Sequence, residues 1–408
     1  MPEFQPFKGL RYDSNRVSLS EVIAPPYDVV SSEDRQELCR KSAYNSIKIE
    51  LPNRGLPDNV DPYKQAAEEF ASWKAEGILV LDKAPSFYIY KMTFDDPVND
   101  RQKSSTTGVI GALALDRTGQ TVLPHEQTMP KPKGDRLDLL RASKTNVSPI
   151  WALSLTQGLA GICESIAANN PPSGYAGDED GNLHELWVVD DEEAVDKIKN
   201  LVASTPLIIA DGHHRYETAL HYQAERRESE SADQNSQNPY DYLMTFVVEL
   251  TKEELVIRPI HRLVSGLPED FDFEHYFSAN FQLSPGPSSP IELERNLSER
   301  GALGLITKTG NYFLEPTTEL IERDSTNLDS SKLDVALSHF PAHQLTYQHG
   351  ATHIYNAVMN DIAQAGILLR PATVEQIAET AHSAKRMPPK TTFFHPKPRT
   401  GMVFRSLE

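Results

Sequence analysis

Between Pro206 and Glu217 the chain reads Pro-Leu-Ile-Ile-Ala-Asp-Gly-His-His-Arg-Tyr-Glu. No other stretch limits the fold so tightly. The apolar run predicts a buried strand that breaks at Asp211-Gly212. Glycine there permits a turn and a close approach that other residues resist. A helical pattern follows, with Tyr216, Ala219, Leu220 and Ala224 on its apolar face. Strand, tight turn and helix start together aim unsatisfied backbone N–H groups at an anion. Arg215 adds a permanently charged planar fork suited to phosphate or carboxylate. A plain capping turn would leave the two histidines structural. Two histidines and an arginine crowded at one glycine turn are hard to place in a core, so Asp211, Gly212, His213, His214 and Arg215 are read as a site.

A metal centre at this turn is a weaker reading. His213 and Glu217 are four residues apart and share a helix face, but there is no His-Glu-x-x-His pattern. Further ligands would have to come from His125 or Glu126, and a metal carried on bound phosphate suits the residues equally well. The sequence leaves the metal's identity open.

The second informative stretch is Leu123 to Ala142. Its first half is too proline-rich for a helix, and its second half carries Leu137 and Leu140 at helical spacing from Asp135 onward. His125 and Glu126 are general-base candidates. Lys131, Lys133 and Arg136 cluster three cations in an otherwise acidic protein. A solvated charged loop is the simpler account of such a run, and the order His-Glu, Lys, Lys, Asp-Arg before a helix is what favours a site.

Acidic residues number 58 against 40 basic, a formal charge of −18. A nucleic-acid partner needs a basic footprint, which this balance argues against. Cys39 and Cys163 stand far apart in no metal-like spacing, so neither a disulfide framework nor a structural zinc site is expected. The N-terminus lacks a basic segment followed by an apolar one, and no run is long enough to span a bilayer; the expected setting is the cytoplasm. Oligomerisation is left open.

Periodicity places helices at Tyr63–Glu76, Glu192–Ala203, Leu333–Phe340 and Ile354–Ala365. Phe87–Phe94 and Gly108–Leu115 are expected to form a hairpin, with further strands at 185–190 and 242–250. Residues 169–185 read as a loop, and Ala24-Pro25-Pro26-Tyr27-Asp28 as a structural turn. The remaining histidines are expected to be surface or core residues.

Five segments now combine: Ile23–Val29, His125-Glu126 with Asp135-Arg136-Leu137, Asn146–Ile150, Ala210–Glu217, and Met387–Lys390 through Pro396-Lys397. In this order they resemble an uncharacterised bacterial and archaeal family, domain of unknown function number 1015. The motif Asp211-Gly212-His213-His214-Arg215 is also similar, over about a dozen residues, to signatures of the ParB, sulfiredoxin and free serine kinase superfamily. His213 stands where sulfiredoxin needs cysteine, and no basic helix-turn-helix module of the ParB type is present.

The resemblance implies an α/β fold with a mixed sheet. A ParB/sulfiredoxin-like nucleotide-binding core is expected over residues 1–265, and an additional C-terminal α+β region over 266–408. It also implies a phosphotransferase acting on a small hydroxyl compound such as free serine. Mg²⁺ would accompany a nucleotide or pyrophosphate donor. Gly212, His213, His214 and Arg215 would hold donor phosphates, with Asp211 in the same turn. His125 or Glu126 would take the hydroxyl proton, and Lys131, Lys133, Arg136 and Lys390 would supply further phosphate contacts. The alternatives are a nucleotide-binding regulatory protein without turnover, and a metal-dependent phosphohydrolase using His125, His213 and His214.

Overall fold

The computed structural model describes residues 1–53, 55, 57, 60–95, 103–124, 133–229, 237–324, 326–383 and 386–408, without the side chains of 124 and 133. His125, Glu126 and Lys131 therefore lie outside the described residues. The chain divides into two compact units. The first takes in the described residues of 1–124, 128–255 and 396–408, and the second those of 256–395.

The first unit is built on a nine-stranded mixed sheet. Across it lie Val122–Pro124, Leu207–Asp211, Ile150–Ser154, Tyr242–Glu249, Lys103–Ala114, Phe87–Asp95, Leu183–Val189 and Gly174–Gly177, with Phe4–Gln5 paired to Lys103–Ala114. Leu207–Asp211 runs parallel to Val122–Pro124 and antiparallel to Ile150–Ser154. Both faces are covered, which explains why these strands read as unbroken apolar runs. Phe87, Ile89, Ile150, Leu207 and Ile209 pack under the helices Leu159–Asn169, Glu192–Val202 and His213–Ser229. On the opposite face Tyr90 and Trp151 each meet Phe246, with ring centroids 5.3 and 5.5 Å apart.

A four-stranded sheet joins the two chain ends. Gly9–Tyr12 lies between Leu79–Leu81 and Phe404–Ser406, and Thr145–Asn146 completes it. The helix Pro62–Ala75, capped by Asp61, buries Phe70 and Trp73 against it.

The second unit is a six-stranded antiparallel sheet in the order Phe281–Pro285, Asn311–Pro316, Leu303–Ile306, Ala365–Leu368, His261–Ser265, Gln344–Gln348. One core cluster includes Phe277 and Leu333, from the helices Phe273–Phe277 and Asp329–Leu337; another includes Leu293 and Ile354, from Pro290–Arg300 and Ala351–Met359.

The mixed α/β class is the one the sequence implies. The expected hairpin is present as Phe87–Asp95 and Lys103–Ala114, antiparallel throughout. Four local expectations need correction. Residues 169–185 are not all loop, because Gly174–Gly177 adds an edge strand to Leu183–Val189. The helix expected over Ile354–Ala365 is Ala351–Met359, stopped before Asp361, whose φ of +62° a helix cannot use; Ala365 begins the next strand. The helix expected over Leu333–Phe340 starts earlier, at Asp329, and ends at Leu337. In His213–Ser229 the buried face turns through Tyr216, Ala219, Tyr222 and Gln223, and Ala224 is exposed. Among the described residues no helix is long and apolar enough to cross a membrane.

Gly366 marks the closest approach of helix to sheet in the second unit. A Cβ there would overlap Cγ2 of the fully buried Ile354. Gly366→Ala should therefore overpack this core and destabilise the chain by about 1–3 kcal/mol, read as a lower midpoint in urea unfolding.

Candidate functional site

The candidate site starts where the strand Leu207–Asp211 ends. Gly212 takes φ +92°, and a Cβ on it would lie 2.7 Å from Ile150 Cγ2. Both the backbone conformation and the neighbouring strand thus require glycine. His213–Ser229 begins at the next residue, and the Tyr216 N–H donates to the Gly212 carbonyl at 2.9 Å. The N–H groups of His213, His214 and Arg215 consequently have no acceptor within the helix. Both histidine side chains are half-buried. Tyr216 anchors the helix, its hydroxyl accepting from the Asp116 N–H at 2.8 Å.

Asp211 is the hub of the turn. Its Oδ2 accepts from Arg215 Nη2 at 2.9 Å, and its Oδ1 accepts from Lys397 Nζ. Burial on its own would raise the Asp211 pKa; Lys397 and Arg215, with His213 adding to them, override that and hold it well below the usual carboxylate range. Arg215 has little fork left for a ligand. Its Nη1 donates to Ser148 Oγ at 3.0 Å and to the Pro149 carbonyl at 2.6 Å. Its side chain therefore positions Asp211 and fixes the segment Ser148-Pro149.

The polar network continues inward. Ser148 Oγ donates to Glu50 Oε1 at 3.1 Å, and Glu50 is 1% exposed. Arg136, 5% exposed, donates to the Glu50 carbonyl at 2.7 Å and pairs with Asp135 at 2.6 Å. Tyr63 donates to Asp135 at 2.6 Å. The Arg136 guanidinium lies 4.1 Å from the centre of the Tyr27 ring. Burial pushes the Tyr27 hydroxyl up to about 12, with Asp28 and Glu50 adding to the rise and Arg215 and Arg136 opposing it. Arg136, expected to supply a phosphate contact, is thus a buried group paired with Asp135.

The chain end sets Lys397. Arg399, two residues on, pairs with Asp178 and with Glu179 at 2.7 Å, and its N–H donates to Tyr90 Oη at 3.1 Å. His184, fully buried, bridges Tyr90 (2.7 Å) and Asp178 (2.9 Å). Thr400 pairs with Ala24 through the backbone. This clasp seats the tail so that Lys397 meets Asp211.

Of the residues predicted from sequence, the structure brings together Asp211, Gly212, His213, His214, Arg215 and, through Ser148 and Glu50, Arg136. Lys390 lies in the second unit, at φ +59°, where its carbonyl accepts from Arg262 Nη2 at 3.0 Å. Lys133 opens the helix Lys133–Ser143. Sequence reasoning did not single out Glu50, Ser148 and Lys397, and took the segment carrying Tyr27 as a structural turn. Ser148, Tyr27 and Lys397 all sit inside the segments that carry the family resemblance; Glu50 had no signal. Among the described residues no group of three or more His, Cys, Asp or Glu side chains could hold a metal ion.

A mixed α/β unit with a charged strand–turn–helix element is the class these features define. The chain belongs to the family described as "Protein of unknown function (DUF1015)", whose model matches residues 4–336. No curated protein sequence matches it. Solved structures similar to it include a conserved hypothetical protein from Pyrococcus furiosus, at 12% identity and TM-score 0.37, covering 69% of this chain and 90% of that one. Free serine kinase in complex with AMP is similar at 12% identity and TM-score 0.38, covering 70% and 88%. SbnI with a C-terminal truncation, from Staphylococcus aureus, is similar at 10% identity and TM-score 0.39, covering 72% and 86%. At these scores the likenesses say nothing of activity.

Two outcomes follow from the turn. Gly212→Ala forces a left-handed backbone on alanine and a clash with Ile150, and should destabilise the chain by at least about 1–3 kcal/mol, measured by chemical denaturation. Asp211 has a folded pKa below its ordinary value of 3.8, so its stabilisation is present above that value and is lost as pH falls through the folded pKa. In acid titrations of stability, Asp211→Asn should start less stable at neutral pH and show a shallower loss below pH 3.8 than the wild type.

Proposed function

We propose that this chain is a phosphotransferase that moves a phosphoryl group from a nucleotide or pyrophosphate donor to a small hydroxyl compound, with free serine the first acceptor to test. One observation carries the reading: two cations, Arg215 and Lys397, share the single carboxylate of Asp211 beside the start of the helix His213–Ser229. Two cations are thus fixed beside the helix start, in a half-buried position where charge is weakly screened and the helix dipole favours an anion. The opposite end of the network, Glu50 and Asp135 around Arg136, carries the compensating negative charge.

On this reading the N–H groups of His213, His214 and Arg215 bind the donor's phosphate oxygens, and glycine at 212 lets the donor approach the backbone. His213 and His214 stand at the phosphates and donate from their rings to charge that builds on the transferring group. Lys397 and Arg215 act through their charge, with Asp211 fixing both. Lys131 and Lys133 add phosphate contacts from the neighbouring segment. Glu126 or His125 takes the proton from the acceptor hydroxyl. The freed oxygen forms the new bond to phosphorus as the bond to the donor's bridging oxygen breaks, and that electron pair leaves with the shortened donor. The described residues offer no ligand set for a metal, so Mg²⁺ would enter on the donor's phosphates.

The test is purified chain with Mg²⁺, each of ATP, ADP and pyrophosphate, and L-serine beside a panel of other hydroxy compounds, followed by phosphorus NMR. A new phosphomonoester is expected. His214→Ala should lower kcat/KM about a hundredfold with an unchanged melting temperature. Donor binding without any ester from any acceptor would instead identify a nucleotide-binding regulator. The absence of both donor binding and product would overturn the phosphate assignment itself.

A further inference from the structure

The second unit holds a cleft of about 320 Å³ that the proposed reaction does not use. Its walls come from the start of the helix Asp329–Leu337, from Leu369–Thr373 between the strand Ala365–Leu368 and the helix Val374–His382, and from Thr391. This is the size of a small-metabolite site.

The cation among its described lining residues, Arg370, is immobilised in advance. Arg370 places Nε at 2.9 Å and Nη2 at 2.5 Å on the two oxygens of Asp329, and its backbone N–H donates to the same carboxylate at 2.9 Å. Asp329 is 7% exposed. Nη1 of Arg370 has no hydrogen-bond partner among the described residues. Arg370 thus presents a fixed donor whose side-chain entropy is already spent, the arrangement that favours a planar oxyanion.

An acceptor faces the same space. Thr391 Oγ1 donates to the Pro388 carbonyl at 2.8 Å, which uses its only hydrogen. The Ser330 hydroxyl, 2.8 Å from Thr391 Oγ1, must therefore be the donor in that contact, which leaves its own lone pairs to accept. Ser330 is 3% exposed and Thr391 8%, so both are set in the wall. The segment that carries Thr391 is itself pinned, since Arg262 Nη2 donates to the Lys390 carbonyl at 3.0 Å. Arg370 and Asp329 cancel in charge, so the cleft carries no large excess of either sign for a polyanion to exploit.

We infer that this cleft is a binding site for a small α-hydroxy or α-amino acid. Its carboxylate binds Arg370, and its neighbouring hydroxyl or amine donates to Ser330 Oγ. Nucleotides and other polyphosphates are the wrong charge for it.

The test is calorimetric titration of the full chain with L-lactate, L-alanine and propionate; propionate keeps the carboxylate and lacks the second donor. Lactate or alanine should bind at least about tenfold more tightly than propionate. Ser330→Ala should reduce that ligand to the affinity of propionate and leave propionate itself unchanged. Replacing the ion pair with Asp329→Leu and Arg370→Met together should weaken all binding at least about tenfold, since an apolar pair of similar volume tends to preserve the fold. Melting temperatures of both variants report whether they fold, and Ser330→Ala, which removes one hydroxyl, carries the test if the double variant does not. No binding of lactate or alanine at up to about 50 mM, far weaker than an ordinary metabolite site, would overturn the assignment. So would equal affinity for propionate, or affinities unchanged in both variants.

Discussion

Asp211 is the group on which the first unit's chemistry depends. A carboxylate at the end of a buried strand is tolerable only with charged partners, and removing one partner of such a pair typically costs about 3–5 kcal/mol. Its two partners arrive from different parts of the chain. Arg215 comes from the first turn of the following helix, and Lys397 from the segment 396–408, which returns to the first unit after the second is complete. The site is therefore not assembled until the chain end is in place. The clasp of Arg399 on Asp178, with His184 and Tyr90 behind it, does the placing.

This arrangement changes what Arg215 is for. Read in one dimension, an arginine after Gly-His-His looks like a phosphate fork. In the fold it is anchored to Asp211, Ser148 and Pro149, so it orients the turn and contributes charge. On the proposed reading the direct contacts then fall to the backbone N–H groups and to the histidines. Fixed dipoles and charges of this kind need no reorganisation when a phosphate arrives, which is where electrostatic catalysis gains most. The glycine matters for the same reason, because its φ of +92° is what turns the strand into the helix within one residue.

Much of this was legible in the sequence, and the exceptions share a cause. The strand–turn–helix at Pro206–Glu217 was readable because all its parts are local: an apolar run, a glycine, a helical repeat. The hairpin of Phe87–Asp95 with Lys103–Ala114 was readable for the same reason. Lys397, Ser148 and Glu50 were not, because each gains its role only from a partner far along the chain, and a single sequence carries no record of such pairings. Arg136 illustrates the opposite error. Its neighbours Lys131 and Lys133 made it read as one of a cluster of phosphate-contacting cations, whereas in the fold it lies buried under Tyr27 and paired with Asp135. The edge strand Gly174–Gly177 was missed because its glycines read as loop, and only its pairing to Leu183–Val189 makes it a strand.

The two units use one device in two charge states. In each, an aspartate beside a helix start immobilises an arginine: Asp211 with Arg215, and Asp329 with Arg370. In the first, Lys397 joins the pair, and on the proposed reading this second cation is what favours a polyphosphate. In the second the pair is balanced one to one, and on the inference drawn above binding rests on single directional contacts, one fixed donor and one serine acceptor. On these proposals the balance of cations to carboxylates at each helix start, more than the presence of an arginine, sets the ligand class each unit would hold.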